Sequence, residues 1–270
     1  MTSTGPSGFQ VSSDAPRYYE QHVSRFMRPF VDALVGAVQT GDAVLDVACG
    51  TGFVARAAAQ RTGPAGKVAA IDLNPAMVSF ARSLPVETPV AIEWTEGSAL
   101  ELPWDDNTFD VVLVQQGLQF FPDPVAGVVE MRRVARSGGR VAATVWAPID
   151  QSPYHSAMNR TLVEWGLVEQ TAIDQALPPG GEYKLRSWFT DAGLPHVTCR
   201  LIEAVVDLPP LRDYLPGHLR ALPWSASFFA QDSARQQAVL DQMVERLHTS
   251  VTDDGGVRAP FRSFLLSAPA

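Results

Sequence analysis

A glycine-rich segment near residue 50 carries the clearest chemical pattern in this sequence. Asp46, Gly50 and Gly52 follow a short apolar run, and the two glycines begin a G-x-G-x-x-A pattern that opens a predicted helix. Such glycines let the backbone turn sharply and approach a ligand closely. Asp72 ends the next apolar run, where a carboxylate can accept hydrogen bonds from ribose hydroxyls. The pattern alone also fits an ordinary glycine turn or a dinucleotide site, and Asp72 also fits a helix cap.

Strands and helices in alternation must position these residues. Apolar runs predict short buried strands, separated by segments long enough for helices, over residues 43–48, 68–71, 90–94, 111–114 and 140–146. This alternation predicts an α/β fold, a Rossmann-like doubly wound sheet with helices on both faces. Because crossovers are right-handed, the carboxyl ends of the strands, and with them the ligand site, should lie along one edge.

Two segments interrupt the alternation and predict a helical cover beside the core. Residues 148–183 contain prolines and glycines around an amphipathic stretch from Tyr154 to Glu169, and residues 208–250 form a second insertion between two late strands. Helical spacing from Arg17 to Val38 predicts two N-terminal helices with a break at Pro29. We therefore divide the chain into these six segments: tail and helical cover 1–40 (loose tail 1–14), ligand-binding core 41–147, helical insertion 148–183, core continuation 184–207, helical insertion 208–250 and final core strand 251–270.

Composition excludes several classes of protein. The chain has 270 residues, 46% of them hydrophobic, and a net charge of -8, which gives no electrostatic reason to bind nucleic acid. Cys49 and Cys199 are too few for a disulfide framework or a zinc site, so we expect no metal and a cytoplasmic location. No apolar stretch reaches the roughly 18 residues of a membrane span, and association into a homodimer is left open.

The chain resembles the class I S-adenosylmethionine-dependent methyltransferases, especially the ubiquinone/menaquinone-type subgroup that acts on small molecules. The resemblance covers roughly residues 40–147 and rests on the order and spacing of these segments: Val44–Gly52, Ala70–Met77, Glu96–Trp104, Asn107–Val112, Gly117–Pro124 and Arg133–Arg140. It implies a seven-stranded sheet whose last strand is antiparallel, which a pair of strands at 197–206 and 261–266 can supply. It also implies that S-adenosylmethionine is the cofactor.

Carried over position by position, the resemblance implies roles for the glycine segment. Asp46 would lie near the amino group of S-adenosylmethionine, and the backbone of Gly50 and Gly52 would face its methionine portion. Asp72 would bind the ribose. A sulfonium is a cation, so carboxylates beside the glycine loop favour its binding, whereas a pyrophosphate would need arginines there.

The resemblance further implies an adenine pocket and a cover over the donor. Leu73 and Met77 would pack on adenine, with Ser98 and Ala99 at its edge. Ser98 departs from the family, which commonly has an acidic residue at this position; a serine is a neutral and weaker acceptor. The carbonyl of Gln115 would meet the amino group, and Tyr18 or Tyr19 would close the pocket.

Methyl transfer is a direct displacement, in which alignment does most of the work and a base is needed only if the acceptor loses a proton early. Three histidines outside the core are candidate bases, His22, His155 and His218, and we favour His155 because it follows the fifth strand. Gln116 and Gln119 are candidates to face the acceptor. The insertions predict a small hydrophobic acceptor because they carry many large apolar side chains: Tyr154, Trp165, Leu167, Tyr214, Leu222, Trp224, Phe228 and Phe229.

Two other functions remain open at this point. A nicotinamide-dependent oxidoreductase fits the glycine pattern, but a Tyr-x-x-x-Lys pair is impossible because both lysine-minus-four positions, 63 and 180, are glycine. A protein that binds the donor without transferring its methyl group, as a scaffold or a cyclase, cannot be separated from a methyltransferase by sequence.

Overall fold

A computed structural model describes residues 13–85 and 87–270, so most of the expected tail lies outside the described residues. One sheet holds the seven strands in the order β3-β2-β1-β4-β5-β7-β6, with β7 antiparallel to both of its neighbours and the other pairs parallel. The predicted α/β fold with one antiparallel strand is confirmed. The strands are β1 (Ala43–Val47), β2 (Lys67–Asp72), β3 (Ile92–Glu96), β4 (Phe109–Gln115), β5 (Ala135–Trp146), β6 (Thr198–Leu208) and β7 (Val257–Pro269).

Helices connect and cover the strands. Two of them begin with an Asx cap followed by proline: Asn74 accepts from the Ala76 N–H and Asp123 from the Ala126 N–H. The described helices are α1 (Ala15–Tyr18), α2 (Ser24–Leu34), α3 (Phe53–Thr62), α4 (Pro75–Ser83), α5 (Pro124–Val134), α6 (Pro153–Glu164), α7 (Gln170–Ala176), α8 (Gly181–Asp191), α9 (Leu211–Arg220), α10 (Ser225–Phe229) and α11 (Ser233–Arg246).

The central strands are buried on both faces. Successive residues of a strand point to opposite faces, and in β1 the side chain of Val44 joins one apolar cluster while Leu45 and Val47 join another. Helix α3 contributes Val54 to the first cluster, and α5 contributes Val128 to the second. Burial on both faces explains why these strands appear in the sequence as continuous apolar runs instead of alternating ones.

A third apolar cluster joins the N-terminal helices to the insertions, and we call these elements the cover. Phe30 of α2, Tyr154 of α6, Leu215 of α9 and Phe228 of α10 are buried together in it. The cover lies over the carboxyl ends of the strands, because Trp146 at the end of β5 belongs to the same cluster.

The predicted break at Pro29 is wrong. Helix α2 runs through this residue, and the irregularity is a π-helical turn before it, at Tyr19–Val23. Proline removes one backbone hydrogen bond from a helix interior. Phe26, Met27 and Phe30 are buried around that position and hold the helix against its neighbours. The amphipathic stretch from Tyr154 also forms a helix that ends earlier than its pattern, at Glu164.

Across the described ranges, no helix has both the length and the apolarity needed to cross a membrane. In the same part of the chain, no group of three or more His, Cys, Asp or Glu residues is arranged to hold a metal ion.

Candidate active site

One cavity opens at the carboxyl ends of the central strands and reaches under the cover. The sheet register sets Val47 of β1 beside Ile71 of β2 and Val114 of β4, so the residues that follow these strands meet at one edge. The cavity holds about 1310 Å³ between its walls, part of it open to solvent. Its lining extends from Gly50 and Asp72 at the strand ends to His155 of α6 and His218 of α9.

The glycine loop and Asp72 form one end of the cavity, the glycine-loop end. Gly50 lies in the left-handed backbone region, with φ of 53°. Its N–H donates to Asp72 Oδ2 over 2.7 Å, and the N–H of Asn74 donates to Asp72 Oδ1 over 2.8 Å. Burial raises the pKa of Asp72, while both backbone hydrogen bonds act in the opposite direction. Asp72 thus fixes the loop, and Asn74 caps the following helix.

Asp46 lies in β1, just before the glycine loop, Gly52 ends the loop, and neither is among the described residues that line the cavity. Asp46 Oδ2 accepts from the Ala55 N–H over 2.9 Å, and burial raises its pKa well above the usual range. Asp46 Oδ1 is buried without a hydrogen-bond partner in the described structure. A Cβ on Gly52 would come within 2.4 Å of the Trp94 ring, so only glycine fits this turn. The contacts of Asp46 and Gly52 with S-adenosylmethionine that the resemblance implies stay predictions.

The N-terminal segment crosses above the loop and places Tyr19 at the cavity wall. The rings of Tyr19 and Phe53 stack with centroids 6.1 Å apart, and Arg56 pairs with Glu20 over 2.8 Å. Burial raises the pKa of Tyr19, and the charge of Asp72 adds to this effect. The Tyr19 hydroxyl therefore keeps its proton at neutral pH.

The predicted adenine residues lie together along one wall, next to Asp72. Leu73, Met77, Ser98 and Ala99 all line the cavity, and the Leu73 side chain is 49% exposed although it is apolar. Ser98 Oγ accepts from the Leu100 N–H over 3.1 Å, so the serine already supports the turn that carries it. Gln115 also lines the cavity.

The opposite end of the cavity, the cover end, contains His155 of α6 in an aromatic surrounding. Its ring packs edge-on against Trp146 at 4.8 Å and against Phe261 at 5.3 Å, measured between centroids. Burial lowers the pKa of His155 to about 4, so the imidazole is neutral at pH 7. A neutral imidazole is the form that accepts a proton.

His218 of α9 also lines the cover end and is held by a buried tyrosine. The hydroxyl of Tyr154 lies 2.6 Å from His218 Nδ1. Burial raises the pKa of Tyr154 well above its usual range and lowers that of His218 to about 3. Tyr154 therefore keeps its proton and His218 is neutral at pH 7, so the two side chains share one hydrogen bond that holds the imidazole in place.

The structure separates residues that the sequence grouped together. His22 packs against Tyr214 and is not among the described residues lining the cavity. Trp224 lines the cavity, whereas Phe228, four residues later, is buried in the cover. Gln116 lines the cavity, and Gln119 is buried outside its described lining.

Asn159 lines the cover end but was missed by sequence reasoning. It follows His155 by one helical turn, and this i, i+4 spacing on α6 would have placed both side chains on one helix face. Asn159 is 2% exposed, and its Oδ1 has no hydrogen-bond partner among the described residues.

Comparison with known proteins decides the family. Residues 45–143 match the methyltransferase domain family. The chain is 31% identical over 175 residues to a demethylmenaquinone methyltransferase from Shouchella clausii, an alignment that covers 60% of this chain and 74% of that protein. The chain belongs to the class I S-adenosylmethionine-dependent methyltransferases. This chain is also 37% identical over 136 residues to a ubiquinone/menaquinone biosynthesis C-methyltransferase from Cupriavidus taiwanensis, an alignment that covers 47% of this chain and 54% of that relative.

Solved structures agree on the fold of the methyltransferase. The YcgJ protein of Bacillus subtilis matches with a TM-score of 0.56 and 18% identity, over 89% of this chain and 96% of that one. An arsenic(III) S-adenosylmethionine methyltransferase from Chlamydomonas reinhardtii matches with a TM-score of 0.52 and 16% identity, over 89% and 73% of the two chains. The chemistry follows from the family: methyl transfer to a small molecule, with nothing in favour of an oxidoreductase or a binding protein without transfer.

Proposed function

We propose that this methyltransferase binds S-adenosylmethionine at the glycine-loop end of the cavity and a small, uncharged, apolar acceptor at the cover end. One observation carries the proposal: a single cavity is lined at one end by Gly50, Asp72 and Ser98, and at the other by His155 and Trp224. Among the described residues that line it, Asp72 is the single Asp, Glu, Lys or Arg. An acceptor with a carboxylate or phosphate group would find no cation to pair with there.

The glycine-loop end fits the donor. Gly50 leaves space where a side chain would stand, since a Cβ built on it meets nothing within 4 Å. In this proposal Asp72 accepts from the ribose hydroxyls while it holds the loop, and Leu73 and Met77 cover the adenine. Ser98 and Ala99 face the adenine edge, Tyr19 closes the site from above, and the carbonyl of Gln115 faces the amino group.

When bound, S-adenosylmethionine supplies a methyl group activated by a sulfonium. The chain has to exclude water and to align the acceptor with that methyl group, and alignment is the main source of rate in a displacement. The aromatic walls of the cover end exclude water. His155 takes the acceptor's proton if the acceptor must lose one, since its imidazole is neutral and lines the cavity.

The relatives refine the proposed acceptor. The two curated relatives named above act, by their names, on demethylmenaquinone and in ubiquinone/menaquinone biosynthesis. An apolar ring compound of this kind matches the aromatic and aliphatic walls of the cover end. We infer that the acceptor carries a flat apolar ring.

The proposal is tested in two steps. Calorimetric titration of the folded protein with S-adenosylmethionine and S-adenosylhomocysteine should show binding of both, and absence of binding would overturn the donor assignment. Incubation with methyl-labelled donor and a panel of ring compounds, matched in size but differing in charge, should label the uncharged members only. Transfer to carboxylated members at equal rates would overturn the acceptor assignment while leaving the donor assignment intact.

A further inference from the structure

Gln116 occupies an unusual position directly after β4. Its φ is 52°, in the left-handed region that side chains other than glycine, asparagine and aspartate rarely adopt. Its N–H donates to the carbonyl of Thr144, which fixes the backbone at the strand end. The residue is 7% exposed and lines the cavity. A strained backbone at a cavity wall points to a side chain that has a task there.

The orientation of the Gln116 amide is fixed by a residue far away in the chain. Ser263 of β7 has one hydroxyl proton, and its Oγ lies 2.9 Å from the Val145 carbonyl, which can only accept. The Ser263 oxygen therefore accepts from its other close neighbour, Gln116 Nε2, over 2.9 Å. The opposite atom of the amide, Gln116 Oε1, is left facing away from Ser263.

Gln116 Oε1 is buried and has no hydrogen-bond partner among the described residues. A buried carbonyl oxygen that loses its water without gaining a partner is destabilising, so native proteins rarely leave one. This oxygen belongs to a residue of the cavity wall and its orientation is fixed, so a ligand in the cavity can supply the missing donor. Such a ligand must present a hydroxyl or N–H group.

We propose that Gln116 Oε1 accepts a hydrogen bond from a hydroxyl or N–H group of the methyl acceptor, and that Ser263 is the residue that positions this amide. The inference rests on the proposed function, because it identifies the ligand of the cover end with the acceptor. It adds a requirement to the proposed apolar ring: an uncharged hydrogen-bond donor on that ring. Gln116 then selects among rings of similar shape by their substituents.

Two matched probes isolate this hydrogen bond without knowledge of the natural acceptor. 2-Naphthol carries a hydroxyl group where 2-methylnaphthalene carries a methyl group of similar size. Dissociation constants for both are measured by ligand-detected NMR on the protein saturated with S-adenosylhomocysteine. The ratio of the two constants cancels general changes in cavity shape and reports the hydroxyl group alone.

Four proteins complete the design. Gln116→Met keeps the length of the side chain and removes the acceptor, while Ser263 keeps its bond to Val145. Ser263→Ala keeps the Gln116 amide oxygen but removes the hydroxyl group that fixes its orientation. Gln119→Leu is the matched control, because it removes an unpartnered buried amide of the same type that is outside the described lining of the cavity. Wild type is the fourth, and circular dichroism and calorimetry with S-adenosylhomocysteine show whether each variant is folded and keeps the donor site.

The preference for 2-naphthol should fall about tenfold in Gln116→Met, the loss of one buried hydrogen bond, and several-fold in Ser263→Ala. It should stay within about twofold of wild type in Gln119→Leu. A preference unchanged in Gln116→Met, an equal loss in Gln119→Leu, or binding of neither probe by wild type would overturn the proposal. Should Gln116→Met fail to fold, Gln116→Gly, which relieves the backbone strain, carries the same expectation. Failure to bind S-adenosylhomocysteine would instead refute the proposed donor site, and the probe ratio would still be measured on the free protein.

Discussion

The two ends of the cavity are built in different ways. At the glycine-loop end the key contacts join residues close in sequence: Asp72 reaches Gly50 across 22 residues and Asn74 across two. At the cover end, Tyr154 meets His218 across 64 residues, and Gln116 meets Ser263 across 147. The glycine-loop end is thus a local motif, and the cover end exists only after the whole chain has folded.

The two ends also differ in how their polar groups are satisfied. Both carboxylate oxygens of Asp72 already accept backbone N–H groups. At the cover end, Gln116 Oε1, His155 Nδ1, Asn159 Oδ1 and Trp224 Nε1 are buried without partners among the described residues. The carboxylate of the glycine-loop end is therefore satisfied within the chain, whereas the cover end has four polar atoms without partners in the described ranges, two of them on α6.

The largest expected effect is a loss of stability in Phe228→Ala, and comparison with Trp224→Ala distinguishes packing of the cover from binding at the cavity wall. Phe228→Ala should lower the free energy of unfolding by about 3–5 kcal/mol, because it opens a hole in the cover's apolar cluster. Trp224→Ala, at the cavity wall, should cost less stability and weaken acceptor use more. Urea unfolding measures the first effect, and transfer kinetics measure the second. The distinction between wall and core would fail if both variants lost stability and acceptor use in equal proportion.

The next largest effect is a loss of affinity for the donor product when the glycine-loop end is changed. Asp72→Ala should weaken binding of S-adenosylhomocysteine by about 1.5–3 kcal/mol, the cost of losing hydrogen bonds to a charged group. Asp110→Ala is the matched control, because Asp110 Oδ2 also accepts a backbone N–H, that of Ala43, but at the opposite edge of the sheet. Calorimetry of both variants should show a loss in Asp72→Ala only. A comparable loss in Asp110→Ala would mean that the affinity reports general loosening of the sheet.

The free energy of unfolding should depend on pH through His155, at the cover end. Burial lowers the pKa of His155 to about 4, below the value near 6.5 expected in the unfolded chain. Between these values the unfolded state binds more protons, so this group's contribution makes stability rise with pH from about 4 to 6.5 and level off above. In His155→Phe that contribution disappears.

Chemical unfolding at several pH values should therefore show a steeper rise in wild type than in His155→Phe, by on the order of 1–3 kcal/mol over this window. The raised pKa values of Asp46 and Asp72 act in the opposite direction, but both proteins share them and they cancel in the difference. Parallel curves for the two proteins would show that folding leaves the pKa of His155 near its value in the unfolded chain.

The smallest expected effect tests the adenine edge. Ser98→Asp should keep donor binding and tighten it by less than about 1 kcal/mol, since a charged acceptor is stronger but must be desolvated. An aspartate there can keep the bond from the Leu100 N–H, so the turn should survive. Calorimetry measures the affinity of each protein for S-adenosylhomocysteine, with Ser98→Ala as the control. A large loss in a folded Ser98→Asp protein would show that this position does not face adenine.

Apolar runs in the sequence predicted the strands and the α/β fold, and the family resemblance implied the antiparallel last strand. Most residues that the resemblance named for the glycine-loop end line it, while their contacts with S-adenosylmethionine stay predictions. Continuous apolar runs mark strands buried on both faces, and turn chemistry at Gly50 and Asn74 acts between neighbours in the chain. Prediction failed at Pro29, where packing of buried phenylalanines outweighs one lost hydrogen bond. It also treated Trp224 and Phe228 alike, because both are aromatic residues on a helical insertion.

Only the tertiary structure decided the cover end. Nothing local to Gln116 indicates that Ser263, on the last strand, fixes its amide, and nothing local to His218 indicates that Tyr154 shares a hydrogen bond with it. Such pairs depend on how helices and strands distant in sequence pack against one another, and the free energy of that packing is spread over many apolar contacts. A motif whose residues are near one another in the chain can therefore be predicted from the sequence, whereas a site made by distant residues depends on the fold that brings them together.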